Sequence, residues 1–451
     1  MRFLAALSLV LIAGCAANAA SRTSLVPVPG RAHASNPIKH VVLIVQENRS
    51  FDNLFAGFPG ADAPTYGYTH SGQKVNLQPI KLESNGQHPG VDIQHFHSTW
   101  ETEYDNGKMD GFDRIYFATG GLPAKLYPYA YVERSEITEY WTLAQKYTLA
   151  DQMFEDLTSG SFTSHQDLIA GTTSLDANDS LMDYPVGTYI WGCDATKGAK
   201  LTIINKKTGL GTGGFPCINA YPTLATSLDA AKISWKYYAM KVHGSDPGGW
   251  VWSAFDLIKK VRYGPDWANV SSPDTNIVTD IKSGNLPQMS WVMPDEANSD
   301  HPQSGSNTGP SWVASVVNAI GQSKYWNDTT IIVVWDDWGG WYDNVAPKQL
   351  DWLGLGGRVP MLVISPYARP HHIATTQYEF GSIVKYVEQT FGLPPLSALG
   401  SKYAVDSRSA SLLPDCLDYS QKPITFTPVP THYPLSYFLR QRPSYVPLED
   451  E

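Results

Sequence analysis

Three apolar runs in this chain stop at side chains that could hold a cation. "HVVLIVQEN" ends at Glu47 and Asn48, and "TTIIVVWDD" ends at Asp336 and Asp337, just before Gly339 and Gly340. In "QMSWVMPDEANSDHP" the apolar run is followed by Asp295, Asp300 and His301. Adjacent carboxylates at the end of a buried strand repel one another and lose hydration unless a cation compensates them. Oxygen donors with an occasional imidazole suit hard or borderline divalent metals. Asp336-Asp337 alone reads equally well as a solvated turn. With Glu47-Asn48 ending a second strand, both ends can share one edge of a sheet, which favours a site for one divalent metal ion, of unknown identity, over the solvated turn.

A nucleophile is sought next. In "EDLTSGSFTSHQDLIAG", Gly160-Ser161 precedes a helix-like stretch. A hydroxyl there faces unpaired helix amides, which favour an anion, and a neighbouring metal would lower its pKa. The commoner use of Ser161 or Ser164 is as an N-cap, and the residues alone leave both uses open. The stretch lacks the G-x-S-x-G elbow, which disfavours a Ser-His-Asp esterase. In "DIQHFHSTWETEYDNGKMDGF", His95 and His97 lie two apart, on one face if the segment is a strand. Lys108 reads either as a phosphate contact or as a solvated turn residue.

Those residues need a scaffold. The Val/Ile-rich runs above, with "ISWKYYAM" and "RVPMLVISP", are near-continuously apolar, as strands buried on both faces are. Helix-like stretches lie between them: "SEITEYWTLAQKY", "SWVASVVNAIGQS" and "FGSIVKYVEQTFG". The alternation predicts an α/β fold with a mainly parallel central sheet, whose ligands sit at the carboxyl ends of the strands. Residues 183–221 read as an inserted loop or small β subdomain. Beyond about Pro395 the chain turns irregular and Pro-rich, as a wrapping tail does.

Composition sets outer bounds. The net charge of -10 argues against a broad nucleic-acid surface. Residues 1–19 read as a secretory signal peptide. "LIAGC" suits cleavage before a lipidated, membrane-anchoring Cys15, and "ANA" at 17–19 suits ordinary cleavage; both put the mature protein outside the cytoplasm. Residues 20–37 then form a tether. In an oxidising compartment Cys193 and Cys217 are expected to pair, leaving Cys416 buried. Oligomeric state is not legible.

The blocks "VLIVQENRSFDNLFAGFPGA", "NGKMDGF", "GSFTSHQDLIAGT", "SDHP" and "WDDWGGWYDNVAP", followed by "RVPMLVISPYA", occur in the order found in the bacterial phosphoesterase family, which the chain resembles over about residues 38–418. That family contains phospholipases C of the non-haemolytic type and related acid phosphatases. The resemblance implies an alkaline-phosphatase-like three-layer α/β/α sandwich over 38–418, with 419–451 as the tail. It implies metal ligation by Glu47, Asn48, Asp336 and Asp337, and a nucleophile ten residues before Gly171, at Ser161. It assigns phosphoryl contacts or leaving-group protonation to His301 and to His95, with His97 a second candidate. Phospholipase C members differ at the nucleophile block, and family members usually carry Asp-Glu where this chain has Asp336-Asp337. The serine form of the nucleophile block tilts the reading to an acid-phosphatase-like monoesterase working through a phosphoserine, while the shorter arm of the second aspartate calls for a small backbone shift if it is to ligate. A phospholipase C-type diesterase is the alternative, and a surface binding protein with lapsed catalysis a minor one.

Overall fold

The computed structural model describes residues 36–82, 92–408 and 412–444. The signal, Cys15 and most of the tether fall outside them. The fold is built outward from the first strand, His40–Gln46, in which every residue after His40 is buried. A strand so apolar must be covered on both faces and hydrogen-bonded on both edges. Its neighbours are Met289–Val292 and Thr329–Trp335, both parallel to it. The full sheet has eight strands in the order Val270–Ser271, Trp235–Tyr238, Met289–Val292, His40–Gln46, Thr329–Trp335, Met361–Ile364, Thr148–Ala150, His372–Ala374. Met361–Ile364 alone runs antiparallel to its neighbours.

Two groups of helices cover the sheet. Gly309–Gly321 packs on Thr138–Lys146 and Asn276–Ser283, while Ser161–Ala170 packs on Phe380–Phe391. Every residue of Thr329–Trp335 and of Ser161–Ala170 is buried. This is the α/β architecture with a mostly parallel sheet that the alternating pattern predicts. The three shortest strands, Thr148–Ala150, Val270–Ser271 and His372–Ala374, carry no pattern of their own. Much of the aromatic content is core: Trp252, Trp291, Trp312, Trp335, Trp338 and Trp341 are among the largest fully buried side chains.

Within 183–221, Leu201–Asn205 and Gly209–Gly213 form an antiparallel hairpin that pairs with Asp179–Leu181. Cys193 and Cys217 are disulfide-bonded, and Cys416 is a buried free thiol. The tail lies along Gly309–Gly321: Val429 exchanges hydrogen bonds with the Asn318 side chain, and Phe438 packs on Trp312 with ring centroids 5.5 Å apart. Among the described residues no helix is long and apolar enough to cross a membrane.

Candidate active site

Strand register assembles the site. Gln46 lies opposite Trp335 in the parallel ladder, so Glu47 and Asp336 leave the sheet side by side at its carboxyl edge. The Asp336 amide donates to the Gln46 carbonyl at 2.9 Å, and the Asn48 amide donates to Asp336 Oδ1 at 2.9 Å. Asn48 has φ 54°, a left-handed turn that Asn tolerates better than most residues. Its backbone is crowded against Gly339, where a Cβ would collide with the Asn48 carbonyl. The Gly339 amide in turn donates to Asp337 Oδ1 at 2.7 Å, fixing that carboxylate.

Ser161 is the first residue of a ten-residue helix whose N-cap is Gly160. No side chain caps this helix end, so Ser161 is not spent as a cap. Its hydroxyl instead lies 3.0 Å from Asp337 Oδ2, to which it donates, and 3.3 Å from Asn48 Oδ1. One turn along, His165 presents Nε2 to Glu47 Oε1 at 3.0 Å and to Asp336 Oδ2 at 3.5 Å. Glu47, His165 and Asp336 are each at most 2% exposed, and one potential ligand atom from each falls within 4.8 Å of the others. Two carboxylates and an imidazole at that separation suit a divalent metal. Asp336 Oδ2 and His165 Nδ1 also lack a hydrogen-bond partner among the described residues. The residues present therefore fit a metal ion.

The donor set differs in detail from the four residues expected from sequence. Glu47 and Asp336 belong to the buried triad, Asn48 and Asp337 flank the Ser161 hydroxyl, and His165 joins unannounced. Its signal is in the sequence: Ser161 and His165 stand four apart in "SFTSH", on one face of a helix.

The imidazoles divide. His95 Nδ1 bonds the Ile93 carbonyl at 2.7 Å, which makes that nitrogen the donor and leaves Nε2 to accept from Asn48 Nδ2 at 2.9 Å. Asp92 Oδ2 stands 3.7 Å from His95 and 3.8 Å from fully buried His301, so one carboxylate faces both rings. His97 does not share a strand face with His95. It opens the helix His97–Tyr104, and its Nδ1 is turned to the Thr158 carbonyl and hydroxyl, at 3.0 and 2.8 Å. The Ser98–Tyr104 run after it is helical, so the two-residue spacing separates the rings.

Other polar residues prove structural. Arg49 donates to the Asp300 carbonyl and stacks over Trp341. Asp295 caps the turn Glu296–Asn298 through the Asn298 amide. Lys108 is paired with Asp105 at 2.7 Å on the surface.

Negative charge crowds the site. Burial, and then the charges of Asp337 and Asp336, push the Glu155 carboxyl well above its usual range. Burial alone would raise Asp336 as well, but the adjacent His165 ring and the hydrogen bond from the Asn48 amide hold it below the usual carboxylate range. His95, Phe96, Ser161, Phe162, Asp183 and Tyr184 line a small cavity of about 10 Å³, and Tyr184 stacks on Trp191 with centroids 5.7 Å apart.

The chain as a whole has relatives in sequence. The non-hemolytic phospholipase C of Burkholderia pseudomallei is 25% identical over 430 residues, covering 81% of this chain and 57% of that one. Phospholipase C B of Mycobacterium tuberculosis is 23% identical over 435 residues, covering 82% of this chain and 75% of that one. The chain spans about half the length of the first curated relatives it matches. Among solved structures, an alkaline phosphatase superfamily protein from Vibrio parahaemolyticus aligns at 11% identity and a TM-score of 0.36 over 79% of this chain and 67% of that one, a likeness too loose to add to the fold described above. The Phosphoesterase family model matches residues 38–394, and the chain belongs to that family.

Proposed function

We propose that the protein is a metal-dependent phosphoric ester hydrolase with Ser161 as its nucleophile. The observation that carries this reading is the Ser161 hydroxyl, held 3.0 Å from Asp337 at a helix N-terminus, beside the buried Glu47, His165 and Asp336. Asp337 stands ready to accept the hydroxyl proton. The unpaired amides of the first helical turn face the position of an incoming anion. A divalent metal, when bound, supplies Lewis-acid polarisation of the phosphoryl group. As the Ser161 Oγ–P bond forms, the P–O bond to the leaving oxygen breaks, and that oxygen takes up a proton. His301, behind Asp92, and His95, beside Ser161 and in its imidazolium form with Nε2 also protonated, are the imidazoles suited to donate that proton. Water then cleaves the phosphoserine, releasing phosphate and restoring the hydroxyl.

The serine at position 161, in the form "GSFTSH", favours phosphate monoesters as substrates, with turnover by an acid-phosphatase-like route. The second reading, a phosphodiesterase, rests on the names of the curated relatives, which are phospholipases C. Export from the cytoplasm is supported by the signal-like start, with lipidation of Cys15 as one mode of retention. Residues 38–418 would then be the catalytic domain and 419–451 its tail.

The test is turnover of p-nitrophenyl phosphate. Ser161→Ala is expected to abolish it with circular dichroism unchanged, and dialysis against a chelator to suppress it until a divalent metal is returned. Near-full activity in Ser161→Ala would remove this serine from the mechanism. Faster hydrolysis of p-nitrophenyl phosphorylcholine than of the monoester would select the second reading.

A further inference from the structure

Toward the C-terminal end of the Ser161 helix lies an open pocket of about 350 Å³ that the proposed chemistry does not use. Asp167, six residues or about 9 Å of helix beyond Ser161, lines it together with Asp156. These two side chains are 1% and 4% exposed. Asp156 Oδ1 accepts the Gly381 amide at 3.2 Å, but the Oδ2 atoms of both residues have no hydrogen-bond partner among the described residues. The neighbouring Arg408 is already engaged by Glu379, at 3.0 and 2.7 Å, and by Asp351. Two buried carboxylate oxygens without partners are costly unless something cationic or hydrogen-bonding meets them.

The rim is mixed in sign, with exposed Asp176 and Asp351 beside two lysines. Lys206 and Lys402, both exposed, line the pocket, and Lys206 Nζ sits 5.9 Å above the Trp352 ring. A bare cation would satisfy the floor but leave the two lysines unmatched; a simple anion would match the lysines and be repelled by the floor. A molecule carrying both charges satisfies both, and the volume suits a small one, since small-molecule sites begin near roughly 300 Å³.

We propose that this pocket binds a small zwitterion, with a primary ammonium seated at Asp156 and Asp167 and a carboxylate or phosphate held at Lys206 and Lys402. An ammonium has three donors for the two bare carboxylate oxygens and the hydroxyls beside them. The site is separate from Ser161 and does not depend on the activity assigned to it.

The full chain carrying Ser161→Ala, which prevents turnover of the probe, is titrated calorimetrically with O-phosphorylethanolamine, β-alanine and calcium chloride in separate arms. Saturable binding of at least one zwitterion is expected; the arm that responds identifies phosphate or carboxylate as the anion. Asp156→Asn/Asp167→Asn should weaken that binding at least tenfold, as should Lys206→Ala/Lys402→Ala. The lysine pair, being exposed, keeps the test alive if the aspartate pair fails to fold. In the otherwise wild-type chain it should leave p-nitrophenyl phosphate turnover unchanged. Three results would overturn the proposal: no zwitterion binding, zwitterion binding indifferent to the lysine pair, or calcium binding lost with the aspartates while neither zwitterion binds.

Discussion

Glu47 and Asn48 sit next to each other in the chain yet face different partners. Glu47 meets His165 and Asp336, and Asn48 spans His95 and Ser161. Sequence made the oxygen donors legible because they interrupt long apolar runs. His165 escaped because it lies inside a polar stretch where a histidine four residues after a serine has no unusual context until the helix is known. Asp92 escaped although it opens the stretch that carries the histidines: an acid three residues before a histidine is unremarkable, and its role appears only when His95 and His301 come together across it. His165→Ala is expected to lower divalent-metal affinity by at least about tenfold, since losing even a supporting residue around a metal commonly costs about 10–100-fold. Metal content after dialysis, measured by emission spectroscopy, checks this. A variant that retained the full complement would reduce His165 to an orienting partner of Glu47.

At the level of elements, what aims the site is the pairing of His40–Gln46 with Thr329–Trp335 and the turn that follows each strand. Gly339 makes the second turn possible: its φ is 63°, and a Cβ there would strike the Asn48 carbonyl. Gly339→Ala should destabilise the protein by about 1–3 kcal/mol, the usual cost of a strained backbone position. It should also lower turnover beyond what lost stability explains, because Asp337 and Asn48 are both displaced; melting temperature and kcat measured together separate the two effects. The long strands were readable because seven consecutive buried residues leave little ambiguity. Strands of two or three residues, such as Val270–Ser271, exist only because a neighbouring edge is there to pair with. The histidine pair misled because an alternation of two residues says nothing until the backbone state of the segment is fixed.

For the whole molecule, buried carboxyl groups tie stability to pH. Burial raises Asp300 to about 6 against the opposing pull of the Tyr140 hydroxyl and Arg49. The unfolded value is near 3.8, so the folded state holds this proton more tightly. The associated stabilisation is complete below pH 3.8 and disappears as pH rises through about 6. Asp300→Asn should therefore flatten the decline in unfolding free energy between pH 4 and 7 by an amount on the order of 3 kcal/mol, as read from urea titrations at both pH values. The same sheet that gathers the site also dictates the order of its making. Asn48 and the Asp336 carboxylate that fixes its amide are 288 residues apart. At about 5–20 residues per second, a ribosome needs roughly 15–60 s to deliver the second after the first. For most of that interval the opening strand has no native edge to join, since the earlier of its two neighbours, Met289–Val292, also comes late in the chain, and the nascent chain must be sheltered by something other than itself.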